Sequence, residues 1–128
     1  MADTEIREGY LYTKDHEWVG ASDPRQIGVS AYAVEQLGDI TMVDLKVKVG
    51  DRVEAGKAFG VVESVKSVSD LYAPVSGVVA AVNGELDARP ELVNEDPYGQ
   101  AWMISIQPDG EPAGLMDAGA YRAFLTTL

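Results

Sequence analysis

The residue with the clearest chemical potential is a lysine between two short segments that favour β-structure. Lys66 lies in the middle of Val65-Lys66-Ser67, and the runs Ala58–Ser64 and Asp70–Tyr72 flank this tripeptide. A turn between paired strands exposes its side chains, so the amine of Lys66 is predicted to point into solvent. An amine presented on a stiff turn is accessible to an enzyme that acylates lysine. Most lysines on a soluble domain serve only solubility, and this chain has five, so the hypothesis depends on the sequence around Lys66.

Residue types that support catalysis are scarce. The chain has no cysteine and a single histidine, His16, and it contains no Ser-His-Asp, Cys-His or metal-ligand pattern. The sequence therefore predicts a protein that is not an enzyme and has no metal site. Acidic residues dominate, with 21 Asp and Glu against ten Lys and Arg and a formal net charge of −11. This balance disfavours nucleic acid and anionic membranes, and it favours protein partners with basic surfaces.

The elements that must position Lys66 are predicted to be mostly strands. Short apolar runs are interrupted every eight to twelve residues by Gly, Pro, Asn and Asp, which is typical of a small β sandwich or barrel. The 128 residues suit one domain, 1–128, without a linker. The predicted strands are Tyr10–Tyr12, Glu17–Val19, Gln26–Val29, Ile40–Lys46, Arg52–Val53, Ala58–Ser64, Asp70–Tyr72, Gly77–Val82 and Ala101–Gln107.

Two helices complete the predicted fold. Ser30 is suited to cap a helix that runs through Leu37, and Gly38 is suited to end it. A second helix is predicted from Asp117 through Leu125, after a loop at Pro108–Gly114. The turn residues Asn83-Gly84 and the segment 94–99 are predicted to be breaks between strands.

The sequence also predicts a location. No apolar run approaches the roughly 18–20 residues that cross a bilayer. The first five residues, Met1–Glu5, are acidic and resemble neither a secretory signal nor a transit peptide. A cysteine-free chain is compatible with a reducing compartment, so we expect a cytoplasmic protein, with a monomer as the default state.

The segment around Lys66, together with several others, resembles the H proteins of the glycine cleavage system. The resemblance extends from about Tyr10 to Leu125, and the ordered set of motifs is far more specific than one lysine in a hairpin. The matching segments are Glu63-Ser64-Val65-Lys66-Ser67-Val68-Ser69-Asp70-Leu71-Tyr72, the following Ala73-Pro74-Val75-Ser76-Gly77, Tyr12–Val19, Ala31–Asp39, Glu91–Gly99, Trp102 and Leu115–Tyr121.

The resemblance implies a fold, a cofactor and partners. The fold would be a barrel-sandwich hybrid of the biotinyl and lipoyl carriers, and lipoate would be attached covalently to Lys66. The carrier would receive an aminomethyl group from the glycine decarboxylase, a pyridoxal-phosphate enzyme, and deliver it to the folate-dependent aminomethyltransferase. Dihydrolipoamide dehydrogenase would then reoxidise it, and a lipoate ligase or lipoyl transferase would have modified it beforehand. The chemistry would belong to those enzymes and to the cofactor.

The resemblance also implies roles for residues away from Lys66. Glu17 and Asp70 match positions of a cleft that holds the loaded arm, and Asp15 and His16 are assigned to the same cleft. A lone histidine beside Trp18 is more often packed and hydrogen-bonded, and this interpretation of His16 is preferred. Recognition by the lipoylating enzyme is assigned to Glu63, Gly60 and Gly77. The two glycines are included because they permit close approach of the backbone where the hairpin packs.

Three other carrier classes compete with this interpretation. A biotinyl carrier usually has methionines beside its lysine, whereas Val65 and Ser67 flank Lys66. A lipoyl domain of a 2-oxo acid dehydrogenase complex is expected to have Asp-Lys-Ala and a linker, and this sequence has neither. An H-like protein that relays lipoate to other enzymes is not excluded by the sequence.

Overall fold

The fold is described by a computed structural model of residues 5–128. Residues 1–4 of the predicted domain 1–128 lie outside the described residues. Two antiparallel sheets face each other, and four short helices lie at their edges. The strands are Leu11–Tyr12 (β1), Glu17–Val19 (β2), Arg25–Val29 (β3), Ile40–Leu45 (β4), Arg52–Val53 (β5), Ala58–Ser64 (β6), Val68–Tyr72 (β7), Gly77–Val82 (β8) and Ile104–Pro108 (β9). The helices are Ala31–Leu37 (α1), Glu85–Ala88 (α2), Leu92–Glu95 (α3) and Ala118–Leu125 (α4).

The larger sheet has the strand order β1-β2-β3-β9-β8-β5, and the smaller has the order β4-β6-β7. In the smaller sheet Glu63 pairs with Val68, so β6 and β7 form a hairpin whose tip contains Lys66. Val62 and Val43, which are paired, are buried, whereas Met42 and Val68 are exposed. One face of the small sheet therefore packs against the larger sheet, and the other faces solvent.

The core lies between the two sheets and has an aromatic extension. Apolar side chains from both sheets, among them Ile27, Phe59 and Ile106, form the main cluster. A second cluster packs α4 against β1 and β2, and in it the rings of Tyr12 and Tyr121 stack with their centroids 4.4 Å apart. This extension ties the C-terminal helix to the strand that contains Glu17.

The helix termini have the predicted capping residues. The Ser30 hydroxyl accepts a hydrogen bond from Ala33 N at 3.2 Å, and Gly38 ends α1 with φ of +80°. The Asp117 carboxylate accepts from Ala120 N at 2.8 Å at the start of α4. These bonds satisfy backbone N–H groups that the first helical turn leaves without partners. The longest helix among residues 5–128 has eight residues, and none is long and apolar enough to cross a membrane.

The predicted fold class is confirmed: the chain is mostly β, with two sheets, a helix at 31–37 and a C-terminal helix. Several strand boundaries were wrong. The strand predicted at Asp70–Tyr72 begins at Val68, because Ser69 and Val68 continue the pairing with β6. The strand predicted at Ala101–Gln107 is Ile104–Pro108, because 97–101 forms turns and Pro108, predicted in a loop, pairs with Gly77 at the end of the ladder.

The sequence analysis also missed α2 and α3. Both are single turns of four residues; α2 directly follows the predicted break at Asn83-Gly84, and α3 overlaps the start of the predicted break at 94–99. Each buries apolar side chains, Leu86 in α2 and Leu92 and Val93 in α3. Such short helices are stabilised by tertiary packing and carry almost no periodic signal.

Candidate functional site: a lysine hairpin beside an acidic cleft

The turn that contains Lys66 is held by the side chain of Ser64. The Ser64 hydroxyl accepts hydrogen bonds from Lys66 N at 3.2 Å and from Ser67 N at 3.1 Å. Ser64 N donates to Ser67 O at 2.8 Å, which closes the turn. A serine that bonds nearby backbone groups is a common device in tight turns. Ser64 therefore fixes the backbone of the tip without involving the Lys66 side chain.

The Lys66 side chain is exposed, as the sequence predicted. Within residues 5–128, its ammonium forms no ion pair with a carboxylate. Its stem passes Gly38, where a Cβ atom would lie 3.3 Å from Lys66 Cε. The neighbours Val65 and Val68 are 68% and 64% exposed. The amine is thus unhindered, and an acyl group on it would displace no internal contact.

A cleft of about 180 Å³ lies beside the hairpin, between α1, the segment before β2 and the edge strand β7. Its apolar side chains come from α1 and the two sheets, and its acidic groups and the His16 imidazole come from 15–17 and from Asp70 on β7. The lining residues are Asp15, His16, Glu17, Val29, Ala33, Gln36, Leu37, Val62, Ser69, Asp70 and Leu71. The structure therefore brings together all four residues that the sequence analysis assigned to a cleft.

Glu17 is the buried acid of this cleft, with 2% of its surface exposed. One carboxylate oxygen accepts from the Thr13 hydroxyl at 2.9 Å, and the other accepts from Tyr72 N on β7 at 3.2 Å. Burial raises the pKa of Glu17 to about 7, because a carboxylate is poorly solvated there; the hydrogen bonds lower the pKa and the charge of Asp15 raises it further. A substantial fraction of Glu17 is therefore protonated near neutral pH.

The other two acids lie at the rim of the cleft, where both are exposed. Asp15 lies in the segment before β2, and its N–H donates to the Thr13 hydroxyl at 3.2 Å. Asp70 pairs with Val61, and its carboxylate accepts from the Tyr72 hydroxyl at 3.5 Å. Neither is held by an ion pair among the described residues. The rim therefore presents two carboxylates that are available to a cation entering the cleft.

His16 lines the cleft but does not bond to Glu17. Its Nδ1 lies 2.7 Å from the Tyr121 hydroxyl, which lies 2.8 Å from the Ser30 hydroxyl. Burial lowers the pKa of His16, although the charge of Asp15 opposes this, so the neutral imidazole is favoured. Its φ of +70° is uncommon for a residue other than glycine. His16 is thus half-buried and hydrogen-bonded, which agrees with the preferred interpretation of its structural role.

The residues assigned to enzyme recognition do not lie together. Glu63 pairs with Val68 and Met42 on the solvent face of the small sheet, close to Lys66. Gly60 is farther along β6, and a Cβ there would lie 2.6 Å from Asp44 O. Gly77 is in the larger sheet, where a Cβ would clash with Gln107 O. Both glycines are explained by close backbone approach, and only Glu63 adjoins the hairpin tip.

The sequence analysis missed two residues that support the cleft. Thr13 bonds Glu17 through its hydroxyl, which donates to the carboxylate at 2.9 Å, and through its backbone N–H, which donates to Glu17 O at 3.0 Å. A threonine four residues before a strand is a detectable turn signal. The Tyr121 hydroxyl is hydrogen-bonded to His16, which lies 105 residues earlier in the sequence, and no local pattern predicts that contact. No group of three His, Cys, Asp or Glu residues within 5–128 is arranged to hold a metal ion.

Comparisons with known proteins agree on one family. A family model described as "Glycine cleavage H-protein" matches residues 10–128. The glycine cleavage system H protein of Mycobacterium bovis (strain BCG / Pasteur 1173P2) is 50% identical, with 96% of this chain and 98% of that protein covered. The corresponding protein of Mycobacterium tuberculosis (strain ATCC 25177 / H37Ra) is 49% identical with the same coverage.

A solved structure is similar over the same length. It is a crystal structure of a glycine cleavage system H protein from Mycobacterium marinum, 41% identical, with a TM-score of 0.85. The match covers 96% of this chain and 100% of the other. Agreement in sequence and in fold therefore extends over nearly the whole of both proteins.

Proposed function

The chain belongs to the glycine cleavage H-protein family, and from this premise we propose that lipoate is attached covalently to Lys66. A member of this family is a carrier component of the glycine cleavage system and not itself an enzyme. The observation that carries the proposal is the exposed, unpaired Lys66 at a turn beside a cleft that contains a buried acid.

The distance from Lys66 to the cleft suits the length of a lipoyl-lysine arm. Asp70 follows Lys66 by four residues along the hairpin, and a strand rises about 3.3 Å per residue, so their Cα atoms lie at most about 13 Å apart. Lysine with lipoate is a chain of about eleven bonds with a reach of about 14 Å. One arm could therefore extend outward to a partner or fold back along β7 into the cleft. Tethering raises the effective concentration of the cargo at each docked active site.

The lipoyl group would supply a disulfide that accepts an aminomethyl group on one sulfur while the other becomes a thiol. We propose that the donor enzyme is the pyridoxal-phosphate glycine decarboxylase and that the acceptor enzyme is the folate-dependent aminomethyltransferase. Dihydrolipoamide dehydrogenase would restore the disulfide. Docking to three partners in turn requires weak, small interfaces, which suits a carrier surface rich in carboxylates.

The cleft would protect the cargo from water. At about 30 Å³ per water molecule, its 180 Å³ has room for roughly six water-sized groups, enough for the end of the arm with its ammonium. Glu17 would face that ammonium from the buried side, and Asp70 and Asp15 from the rim. A nearby cation lowers the pKa of a carboxyl, so entry of the ammonium would ionise Glu17 and release its proton. His16 would shape the wall beside Glu17.

Glu63 would contribute to recognition by the lipoate ligase or lipoyl transferase. Its side chain lies on the solvent face of the hairpin, three residues before Lys66, where an enzyme closing over the lysine would meet it. Gly60 and Gly77 would contribute indirectly, by allowing strands to approach closely in the two sheets. We also propose that residues 1–128 act as one monomeric domain in the cytoplasm; a net charge of −11 opposes self-association.

The proposal is tested on protein isolated from its native cell. Intact mass and peptide mapping should find one lipoyl group, located on Lys66. The modified protein should support glycine decarboxylation and the exchange of glycine carboxyl with CO₂ by the cognate pyridoxal-phosphate enzyme. Native protein without a lipoyl group on Lys66 would contradict the attachment. A lipoylated protein inactive in the glycine assay would favour a lipoate relay instead.

A further inference from the structure

Within residues 5–128, the tip of the lysine hairpin is tied to the rest of the domain at the end of the β4–β6 ladder, where Ile40 pairs with Ser64. Val65 N donates to Asp39 O at 3.0 Å. The pairing between β6 and β7 stops at Glu63 and Val68, and the pairing between β4 and β6 stops at Ser64, so residues 65–67 extend beyond both ladders. The remaining bonds of the tip are internal and run through Ser64. The bond to Asp39 is therefore what fixes the direction in which the tip points.

Asp39 lies in the short connection between α1 and β4, and this connection is clamped by a side chain from α3. The Asn94 amide nitrogen donates to Gly38 O at 2.9 Å, and its amide oxygen accepts from Ile40 N at 2.8 Å. The two bonds span the residues on either side of Asp39. A planar amide that bonds both flanking residues restricts rotation of the peptide groups between them.

Contacts at Gly38 show that the clamped connection also touches Lys66 itself. The Lys66 stem passes where a Gly38 Cβ would be, at 3.3 Å from Cε, and Val65 Cγ2 would lie 3.9 Å from the same position. Asn94 therefore acts on one short segment that contacts the hairpin tip in two ways, through the Asp39 carbonyl and through the surface of Gly38.

We propose that Asn94 is a positioning residue for Lys66: it holds 38–40, which holds Val65 and so sets the direction in which the lysine leaves the hairpin. The inference rests on the proposed lipoylation of Lys66. An enzyme that acylates lysine must bring the amine to its acyl donor, and small misplacements reduce such rates strongly. A small reagent in solution has no such requirement. Asn94 thus affects the enzymatic reaction and leaves the intrinsic accessibility of the amine unchanged.

The test compares Asn94→Asp with the wild-type chain. Aspartate keeps the size of asparagine, but its carboxylate has no N–H to donate and repels the Gly38 carbonyl. With a lipoate ligase, ATP and lipoic acid, we expect kcat/KM for modification to fall about tenfold, chiefly in kcat, since the clamp loses its hydrogen bond to Gly38 O. Acetylation of Lys66 by N-hydroxysuccinimidyl acetate, followed by peptide mapping, should keep its wild-type rate.

Asn83→Asp is the matched control for stability. Asn83 is also an asparagine held by backbone bonds, to Gln100 O at 2.9 Å and to Trp102 O at 2.7 Å, but it lies away from the hairpin connection. It should lose stability without slowing the ligase. An equal loss of kcat/KM in both variants, or no loss in Asn94→Asp, overturns the inference. Modification of the wild type at a lysine other than Lys66 overturns the proposed attachment as well, and this separates the two failures.

Hydrogen exchange in the wild-type chain gives a second test that needs no variant. The Val65 amide, bonded to Asp39 O, should exchange more slowly than the amides of Lys66 and Ser67, which bond only to an exposed hydroxyl. Exchange of Val65 at the rate of an unprotected peptide would mean that the tip is not held, and the inference would be wrong even if Asn94→Asp fails to fold.

Discussion

The hairpin tip and the cleft are connected by one strand, β7, but the functional side chain is exposed and free at the tip and buried and hydrogen-bonded in the cleft. Lys66 is exposed, and only backbone groups of the tip are held, by Ser64 and Asp39. Glu17 is 2% exposed, and both of its carboxylate oxygens accept hydrogen bonds. The first arrangement leaves a side chain free while fixing where it starts. The second fixes the side chain itself.

The difference follows from what a carrier has to do at each end of its arm. An attachment point must enter the active site of a modifying enzyme, which requires exposure and freedom from ion pairs. A resting place for cargo must exclude water, and in such a place an unpaired carboxylate is costly. The pKa of Glu17 is raised because burial destabilises its charged form, and a cationic cargo would stabilise that form.

The largest effect is expected from Lys66→Arg, which alters only the exposed end. Arginine keeps the charge and most of the stem but has no amine for a lipoyl amide, so modification and carrier activity should be lost completely. The free energy of unfolding should change by no more than about 0.5 kcal/mol, because the side chain makes little internal contact. Mass spectrometry, the glycine decarboxylation assay and urea unfolding measure these quantities. Lys57→Arg, at another exposed lysine, should retain modification and activity.

The second prediction concerns pH and the buried end. The pKa of Glu17 is about 7 in the folded chain against 4.5 as the ordinary value, so the folded state binds the extra proton between these values. Its contribution to stability is present below pH 4.5 and is lost as pH rises to about 7, by about 3 kcal/mol in total. The free energy of unfolding of the wild type relative to Glu17→Gln should therefore fall across this window and level off above it.

Denaturant unfolding at a series of pH values measures that difference. Glu63→Gln, an acid on the solvent face of the hairpin, is the matched control and should retain the wild-type slope because Glu17 is still present. A Glu17→Gln chain whose stability follows the wild type at every pH would show that Glu17 titrates as an exposed acid. The contrast between the two ends would then lose its electrostatic basis.

The third prediction concerns retention of the cargo. Glu17→Ala should release formaldehyde from the aminomethyl-loaded carrier about tenfold faster than the wild type, since a hydrogen bond to a charged group is worth about 1.5–3 kcal/mol. Lipoylation of Lys66 should be unaffected, because the tip does not depend on Glu17. A colorimetric formaldehyde assay on the isolated loaded carrier measures the rate. An unchanged rate in Glu17→Ala, or an equal increase in Glu63→Ala, would remove the protective role of Glu17.

The lysine hairpin was predicted from the sequence more fully than the cleft was. The hairpin, its exposed lysine and the strand Ala58–Ser64 follow from local signals, namely β-prone runs and a polar turn. The capping residues of α1 and α4 are equally local, and both helices have the predicted ends. Elements fixed by their own residues and near neighbours are the ones that a single sequence can indicate.

The network behind the cleft was not predictable in the same way. His16, Tyr121 and Ser30 come together from three elements far apart in sequence, and Asn94 reaches the α1–β4 connection from a four-residue helix that has no periodic pattern. The family resemblance indicated Glu17 and Asp70 as a pair, but not that one would be buried and the other exposed. Burial depends on the packing of both sheets, which no local window contains.

The smallest expected effect comes from removing the Tyr121 hydroxyl from that network, and it is compared with removing the hydroxyl of the stacked Tyr12. Tyr121→Phe keeps the ring stacked on Tyr12 but removes the hydroxyl between His16 and Ser30, at a cost of about 1 kcal/mol in stability. Because His16 lines the cleft beside Glu17, loss of its partner should speed formaldehyde release two- to threefold, roughly the effect of half a kilocalorie on a rate.

Tyr12→Phe provides the control from the same ring pair. The Tyr12 hydroxyl bonds to the backbone of Arg7, outside the cleft, so its removal should cost similar stability and leave the release rate unchanged. If both variants release formaldehyde at the wild-type rate, the hydroxyl of Tyr121 holds the C-terminal helix and nothing more. If only Tyr121→Phe releases formaldehyde faster, the cleft depends on the contact with α4. Lipoylation of Lys66 should proceed at the wild-type rate in both variants, because the hairpin tip does not depend on that contact.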